Sequence, residues 1–240
     1  MASQPDIKLI VGLGNLGNEY QDTRHNAGFW FVDALCKRFD VNSLSEESKF
    51  KGSTATVNLG GKNVRLLKPS TFMNLSGQSV ATLANFYKIE SEQILVAHDE
   101  LDIDPGTARL KVGGGHGGHN GLRDIISSLG NQKNFARLRI GIGHPGNAKQ
   151  VANFVLKKAS KTEQDYMDKA IDVCVDHIEA IVCGEWQLAM NTLHSFNANP
   201  ESVAKAEAAK LAKEKKKQER AALREQKKSE STPHSDKEDS

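Results

Sequence analysis

The stretch IKLIVGLGNLGNEY, Ile7–Tyr20, decides how the rest of the chain is read. Its first half is short, apolar and β-branched and is closed by glycine, the pattern of a buried strand. Gly12, Gly14 and Gly17 then spell G-x-G-x-x-G, the written form of a dinucleotide-binding turn. Such a turn requires a helix opening on the last glycine and an acidic side chain about twenty residues further on, at the end of the next strand. Asn18–Asn26 is instead polar and has no helical period, and Asp33 lies inside a helix-like pattern. The glycines are therefore read as a tight strand-to-loop turn with left-handed or close-packed positions. That turn leaves the Asn15 amide at the carboxyl end of a strand, the edge at which α/β sheets bind ligands.

Outward from this turn, strand and helix signals alternate. Asn26–Phe39 carries Phe29, Val32, Leu35, Cys36 and Phe39 at helical spacing. Thr54–Pro69 is two alternating runs around Gly60-Gly61, a hairpin signal. Ser70–Lys88 reads as helical, with Ser70 or Thr71 available to cap it. Gln93–Leu101 is a second buried strand that runs out into acidic residues, and Ala108–Val112 alternates before the loop GGGHGGHNG, Gly113–Gly121. Leu122–Gly130 reads as a helix, Phe135–Gly146 as a strand, and Ala148–Leu156 and Thr162 to about Leu193 as helices. The expected fold is a single α/β domain, with a mixed, mostly parallel twisted sheet and helices on both faces. No internal repeat is visible.

Composition divides the chain. The formal charge is +2 over 240 residues, with a mean hydropathy of -0.51. Lys and Arg balance Asp and Glu through Pro200, whereas Glu201–Lys228 holds ten cations against five acids. This segment has helix formers and few large apolar side chains. It is expected to be a marginal, solvated helix, followed from Ser229 by a disordered acidic end. The expected division is residues 1–198 as a catalytic domain and 199–240 as a charged tail, whose acids dilute its attraction to phosphates; the tail is read as a dispensable extension, with a role at an RNA or ribosome surface as the alternative. Cys36, Cys174 and Cys183 are odd in number and form no C-x-x-C pair; Cys36 and Cys174 sit in helix-like apolar patterns and read as buried thiols, which fits a reducing compartment. No apolar run reaches the roughly 18–20 residues of a membrane span, and the polar MASQPD start does not read as a signal peptide. A cytoplasmic protein is expected.

The strand ends collect a particular chemistry. Asn15, Arg24, His25 and Asn26 follow the first strand, and His98, Asp99 and Glu100 end the Gln93–Leu101 strand. His116, His119 and Asn120 lie in the glycine loop, and Asn74 follows the hairpin. There is no G-x-S-x-G elbow and no G-K-[ST] after the glycines. The glycine loop can still bring backbone N–H groups to an anion. His116 and His119 lack the helical i, i+4 placement of a zinc-binding pair, so a metal is not expected.

Four collinear motifs carry a resemblance. VGLGN-x-G-x-EY-x-x-TRHNAG, KPSTFMNLSG, VAHDELD-x-x-PG with RLK-x-GGGHGGHNGL-x-DI, and F-x-RLRIGIGHPG together resemble the bacterial-type peptidyl-tRNA hydrolases over about Ile7–Phe196. The resemblance implies a monomeric α/β hydrolase that needs neither metal nor cofactor. It would cleave the ester between a peptide and the 3′ ribose of tRNA, and so recycle peptidyl-tRNA released from ribosomes. It would do so without a stable protein partner and without a membrane. Imidazole is well matched to proton transfer near neutral pH. By resemblance His25 is the general base, Asp99 orients it, Asn15, Asn74 and Asn120 are substrate-site amides, and Asn15 and Asn120 join the catalytic set. Tyr20, Met73 and His119 would contact substrate. Lys111 and Arg139, each alternating with apolar neighbours and so facing solvent, would clamp the tRNA 5′-phosphate of the acceptor stem. The alternative is a non-catalytic RNA-binding offshoot of the same fold, of the splicing-cofactor kind. Leu16 departs from the family, which usually has Pro there.

Overall fold

The computed structural model describes residues 6–230, with side chains through Arg220. The first part of the chain runs β1 (Leu9–Gly12), α1 (Ala27–Arg38), β2 (Ser45–Glu47), β3 (Gly52–Leu59), β4 (Lys62–Pro69), α2 (Ser76–Tyr87) and β5 (Ile94–Glu100). It continues through β6 (Ala108–Val112), α3 (Asn120–Ser128), β7 (Ala136–Gly141), α4 (Val151–Val155), α5 (Lys161–Asp176), α6 (Ile178–Val182) and α7 (Trp186–Ser195) to α8 (Pro200–Glu230). Two compact units separate at Asn199 and Pro200.

The seven strands lie in the order β2-β3-β4-β1-β5-β7-β6. The central four are parallel, with β2 and β3 added antiparallel at one edge and β6 at the other. This is the mixed sheet with a parallel centre that the alternation of elements implies. The apolar side chains of β1 and β5 divide by parity between the two faces, as the strand period requires. Ile10, Leu95 and Ala97 pack with α1 and α5–α7, while Leu9, Val11, Ile94 and Val96 pack with α2 and α3. Both faces of the central strands are covered, which explains their unbroken apolar runs.

The β1–α1 junction answers the question raised by the glycines. The helix opens at Ala27, well beyond Gly17, so no dinucleotide-type helix follows the turn. A Cβ on Gly12 would stand 2.3 Å from Gly28 O, and one on Gly28 would stand 2.3 Å from Ala97 O. The helix therefore seats directly on the backbones of β1 and β5. Gly17 has φ +115, a conformation in which a side chain is strained.

Three local readings change. Ser70 and Thr71 do not cap α2, because Phe72 is extended, a short 3-10 turn covers Met73–Leu75, and the helix begins only at Ser76. The delay lets the Met73 N–H reach the Asn15 side chain. Helix α3 begins two residues early, since the His119 ring accepts from Leu122 N and caps it. The long pattern after Thr162 breaks into α5, α6 and α7, with Gly184 at φ +83 between the last two. Pro200 opens α8, as a helix-initiating proline does. Residues 231–240 of the expected acidic end lie outside the described residues. Among the described residues no helix is long and apolar enough to cross a membrane.

Candidate active site

The carboxyl ends of β1 and β5 and the glycine loop before α3 converge on one carboxylate. Asp99, the sixth residue of β5, is buried at 4% exposure. Its Oδ1 lies 2.9 Å from His25 Nδ1, and its Oδ2 3.0 Å from the same nitrogen. His119 Nε2 lies 3.0 Å from Oδ1. The two imidazole rings stand 5.0 Å apart, centroid to centroid.

These contacts fix the tautomers. A carboxylate accepts, so His25 donates through Nδ1–H and keeps Nε2 as its lone-pair nitrogen. His119 donates through Nε2–H, leaving Nδ1 to accept from Leu122 N at 3.4 Å. Burial opposes the charged form of His25, but Asp99 outweighs it and raises the imidazole pKa above its ordinary 6.5. Burial likewise opposes charge on Asp99, yet His25 and His119 hold it below the usual carboxylate range. His98 is different. Desolvation, with His119 nearby, pushes its pKa down to about 3, so it stays neutral while its Nδ1–H donates to Asp99 O at 2.7 Å.

His25, Asp99, His119 and Asn120 line a cavity of about 510 Å³. Val151, Ala152 and Val155 of α4 form its apolar wall. Asn120 Oδ1 accepts from Arg123 Nη1 at 2.9 Å, which orients the amide and leaves its N–H₂ as a donor. Asn15 is fixed in the same manner, its Oδ1 accepting from Met73 N at 3.0 Å. Asn26 closes a further pair of hydrogen bonds with the Asn15 backbone. Asn15 lines a separate hollow with Leu16 and Asn26. Met73 is buried, and a Cβ on Gly121 would stand 2.7 Å from its Sδ, so the thioether sits beside the residue that follows Asn120. Asn74 is exposed. Tyr20 is half-buried in the turn between Gly17 and Thr23 and lines neither hollow.

A third hollow shares His98, Glu100, Asp102, His116 and Gly117 with the main cavity and adds Lys111 and Arg139. Strand register sets Arg109 opposite Arg139 and Lys111 opposite Arg137, so four cations share one face of the β6–β7 pair. Lys111 is exposed as expected. Arg139 is not a simple solvent-facing cation, because it is half-buried and its Nε donates to Glu100 Oε2 at 2.8 Å. Burial and the neighbouring Arg139 depress the pKa values of Arg109 and Arg137, the signature of crowded positive charge.

Two positioning residues are given no role by the sequence reading. Arg137 is buried and donates to the carbonyls of Gly114 and Gly115, pinning the glycine loop. Arg24 is 7% exposed, and its Nη1 donates to the carbonyls of Phe154, Lys157 and Lys158 at 3.5, 3.2 and 3.0 Å. Its Nη2 pairs with Glu163 at 3.1 Å. The residue before His25 thus ties down the end of α4. The signal available in advance was an Arg inside a polar turn, which reads as solvated until its carbonyl partners, far along the chain, are known.

Among the described residues, the group fit to hold a metal is His25, Asp99 and His119, whose ligand atoms lie within 4.8 Å of one another. The second imidazole on the carboxylate is thus joined by His25 rather than by His116. A cation would have to displace the two protons that now bond these rings to Asp99.

The chain matches the family model described as Peptidyl-tRNA hydrolase over residues 9–202. The peptidyl-tRNA hydrolase of Shewanella amazonensis is 61% identical over 193 residues, spanning 80% of this chain and 98% of the relative. That of Haemophilus influenzae is 58% identical over 191 residues, with 80% and 98% covered. A crystal structure of peptidyl-tRNA hydrolase from Acinetobacter baumannii superposes with a TM-score of 0.76 at 52% identity, covering 80% of this chain and 96% of that one.

Proposed function

The chain belongs to the peptidyl-tRNA hydrolase family, and from that premise we propose that His25, held by Asp99, is the base that activates water against the ester of peptidyl-tRNA. The reaction itself is that of the family, hydrolysis of the bond between a peptide and tRNA, a step of translation. The observation that carries the assignment of roles is the shared carboxylate. Asp99 fixes one ring so that its outer nitrogen is free to accept a proton, and a second ring holds Asp99 in place.

His25 Nε2 takes a proton from water as the oxygen attacks the ester carbonyl, and the imidazolium is stabilised by Asp99. The oxyanion is met by amide N–H₂ donors, whose orientation is set in advance because the amide oxygens of Asn15 and Asn120 are already occupied. When the tetrahedral intermediate collapses, His25 returns the proton to the departing 3′ oxygen of the ribose. Asn120 acts beside the water, while Asn15, Asn74 and Met73 hold the peptide side. His119 positions Asp99 and caps α3, and Tyr20 meets the nucleoside end.

Lys111 and Arg139 engage the 5′-phosphate of the acceptor stem, supported by the crowding of four cations on one face of the β6–β7 pair. We assign the catalysis to residues 1–198, acting as a monomer in the cytoplasm, with 199–240 as an appended extension. The non-catalytic RNA-binding reading is not favoured, since a binder has no use for a carboxylate shared by two imidazoles.

The test is release of an N-blocked amino acid from tRNA. His25→Ala is expected to abolish turnover while leaving the melting temperature and tRNA binding close to those of the wild type. Turnover at the wild-type rate in that variant would overturn the assignment of the base.

A further inference from the structure

The family model ends at residue 202 and the relatives cover about 80% of the chain, so nearly all of α8 lies outside the family match. By composition it is a diluted polyelectrolyte. As a helix it is not. At about 100° per residue, Lys205, Lys210, Lys213, Lys216, Lys217 and Arg220 fall within one arc about 140° wide. Glu201 and Glu219 border that arc on one side, and Glu207 and Glu214 on the other. Between them the arc holds only Ser202, Ala206 and Ala209 besides its cations. Lys215 is the one cation before residue 221 that falls elsewhere. From Ala204 to Arg220 every residue is exposed.

Lys213, Lys216, Lys217 and Arg220 are spaced i, i+3, i+4, i+7, so like charges stand next to one another on the helix surface. Such pairs destabilise a helix. A helix that needed only solubility would mix its signs around the wheel. Here the acids are kept off one face, and a polyanion lying along it would relieve the repulsion. We propose that this face of α8 binds the phosphate backbone of the substrate tRNA, adding an electrostatic contact to the one at the ester.

The charge fits RNA, and the apolar side does not fit a membrane. A helix that lies in a lipid interface buries a broad face of large apolar residues, and before residue 221 α8 offers only Val203 and Leu211 beyond alanine. Because the arm and the catalytic unit are one chain, even a weak contact raises the effective concentration of substrate at the site. The inference rests on tRNA being the substrate, and the experiment separates the two.

In the full chain, Lys213→Glu, Glu214→Lys, Glu219→Arg and Arg220→Glu together keep composition and net charge but put acids into the arc. Affinity for full-length deacylated tRNA is measured across a salt series, alongside turnover of full-length N-acetyl-aminoacyl-tRNA and of a short N-blocked aminoacyl oligonucleotide. The exchanged variant is expected to bind tRNA severalfold more weakly at low salt. The slope of log K against log salt becomes shallower by about 1–2, at roughly 0.9 for each phosphate no longer neutralised. KM for the full-length substrate rises, and turnover of the short one is unchanged. A variant with Lys213, Lys216, Lys217 and Arg220 all changed to Gln shows a larger loss, and circular dichroism verifies that both variants keep the helix. Unchanged tRNA affinity and slope in the exchanged variant overturn the proposal. So does tighter binding of the wild type to phosphatidylglycerol vesicles than to tRNA at equal ionic strength, if the exchange abolishes it. Failure of the wild type to cleave the short substrate counts against the hydrolase reading alone, since tRNA affinity is read without turnover.

Discussion

Nε2 of His119 lies 3.0 Å from Oδ1 of Asp99, the same oxygen that stands 2.9 Å from Nδ1 of His25. One buried oxygen therefore orients two rings. Asp99→Asn is expected to lower kcat by roughly 10²–10⁴-fold, the range for loss of well-placed acid–base catalysis. The pH profile is the sharper readout. As the proposed base His25 would work only when neutral, and Asp99 raises its pKa above 6.5 against the opposing effect of burial. Wild-type kcat/KM should thus rise with pH through a midpoint above 6.5. In Asp99→Asn burial remains without its counterweight, so the midpoint moves to lower pH. A midpoint that does not move would show that Asp99 does not set the basicity of His25.

Much of this was legible from residue order. Strand runs closed by glycine, the Gly60-Gly61 hairpin and the polar residues gathered at strand ends were enough to give the sheet and the neighbourhood of Asp99. Pairings between distant segments were not legible. Ser70 and Thr71 look like caps until Met73 N is seen to be required by Asn15, and Arg139 looks solvated until parallel pairing of β5 with β7 brings Glu100 beside it. Local propensity carries no information about such partners, because they are chosen by tertiary packing.

Arg24 is one of them. Its guanidinium binds three carbonyls beyond and within α4, and pairs with Glu163. Arg24→Leu is expected to cost about 1.5–3 kcal/mol in urea melts, the range for hydrogen bonds to a charged group. Because α4 walls the cavity, KM should rise more than kcat falls. Arg24→Lys should be intermediate, keeping the charge but losing the planar fork. Melts superimposable on the wild type would contradict the bracing role.

Glu100 competes with any phosphate for Arg139. Glu100→Gln is expected to lower KM for a 5′-phosphorylated substrate by a factor of about 2–5, in line with an ion pair worth up to about 1 kcal/mol. Lys111→Gln and Arg139→Gln should raise KM with little change in kcat, as loss of uniform binding does. All three effects should vanish with a substrate that lacks the 5′-phosphate. Equal effects on both substrates would refute the clamp.

Leu16 is 51% exposed and stands in the turn between Gly14 and Gly17. Restoring proline there is expected to stabilise the fold by about 0.4–1 kcal/mol through the unfolded chain, with kcat unchanged. A loss of stability in thermal melts would mean that the turn has adapted to leucine.

The seat of Gly28 on Ala97 O carries a wider consequence. His25 stands three positions before that contact and Asp99 two positions after it, so the separation of the proposed base and its carboxylate is gauged by two backbones touching where no side chain intervenes. A methyl group at this point would act as a shim, wedging His25 and Asp99 apart without altering either of them. The spacing of His25 and Asp99 is in this sense inherited from the packing of a helix on a sheet, and the opening glycines, which look like a cofactor signature, serve as its fixed reference.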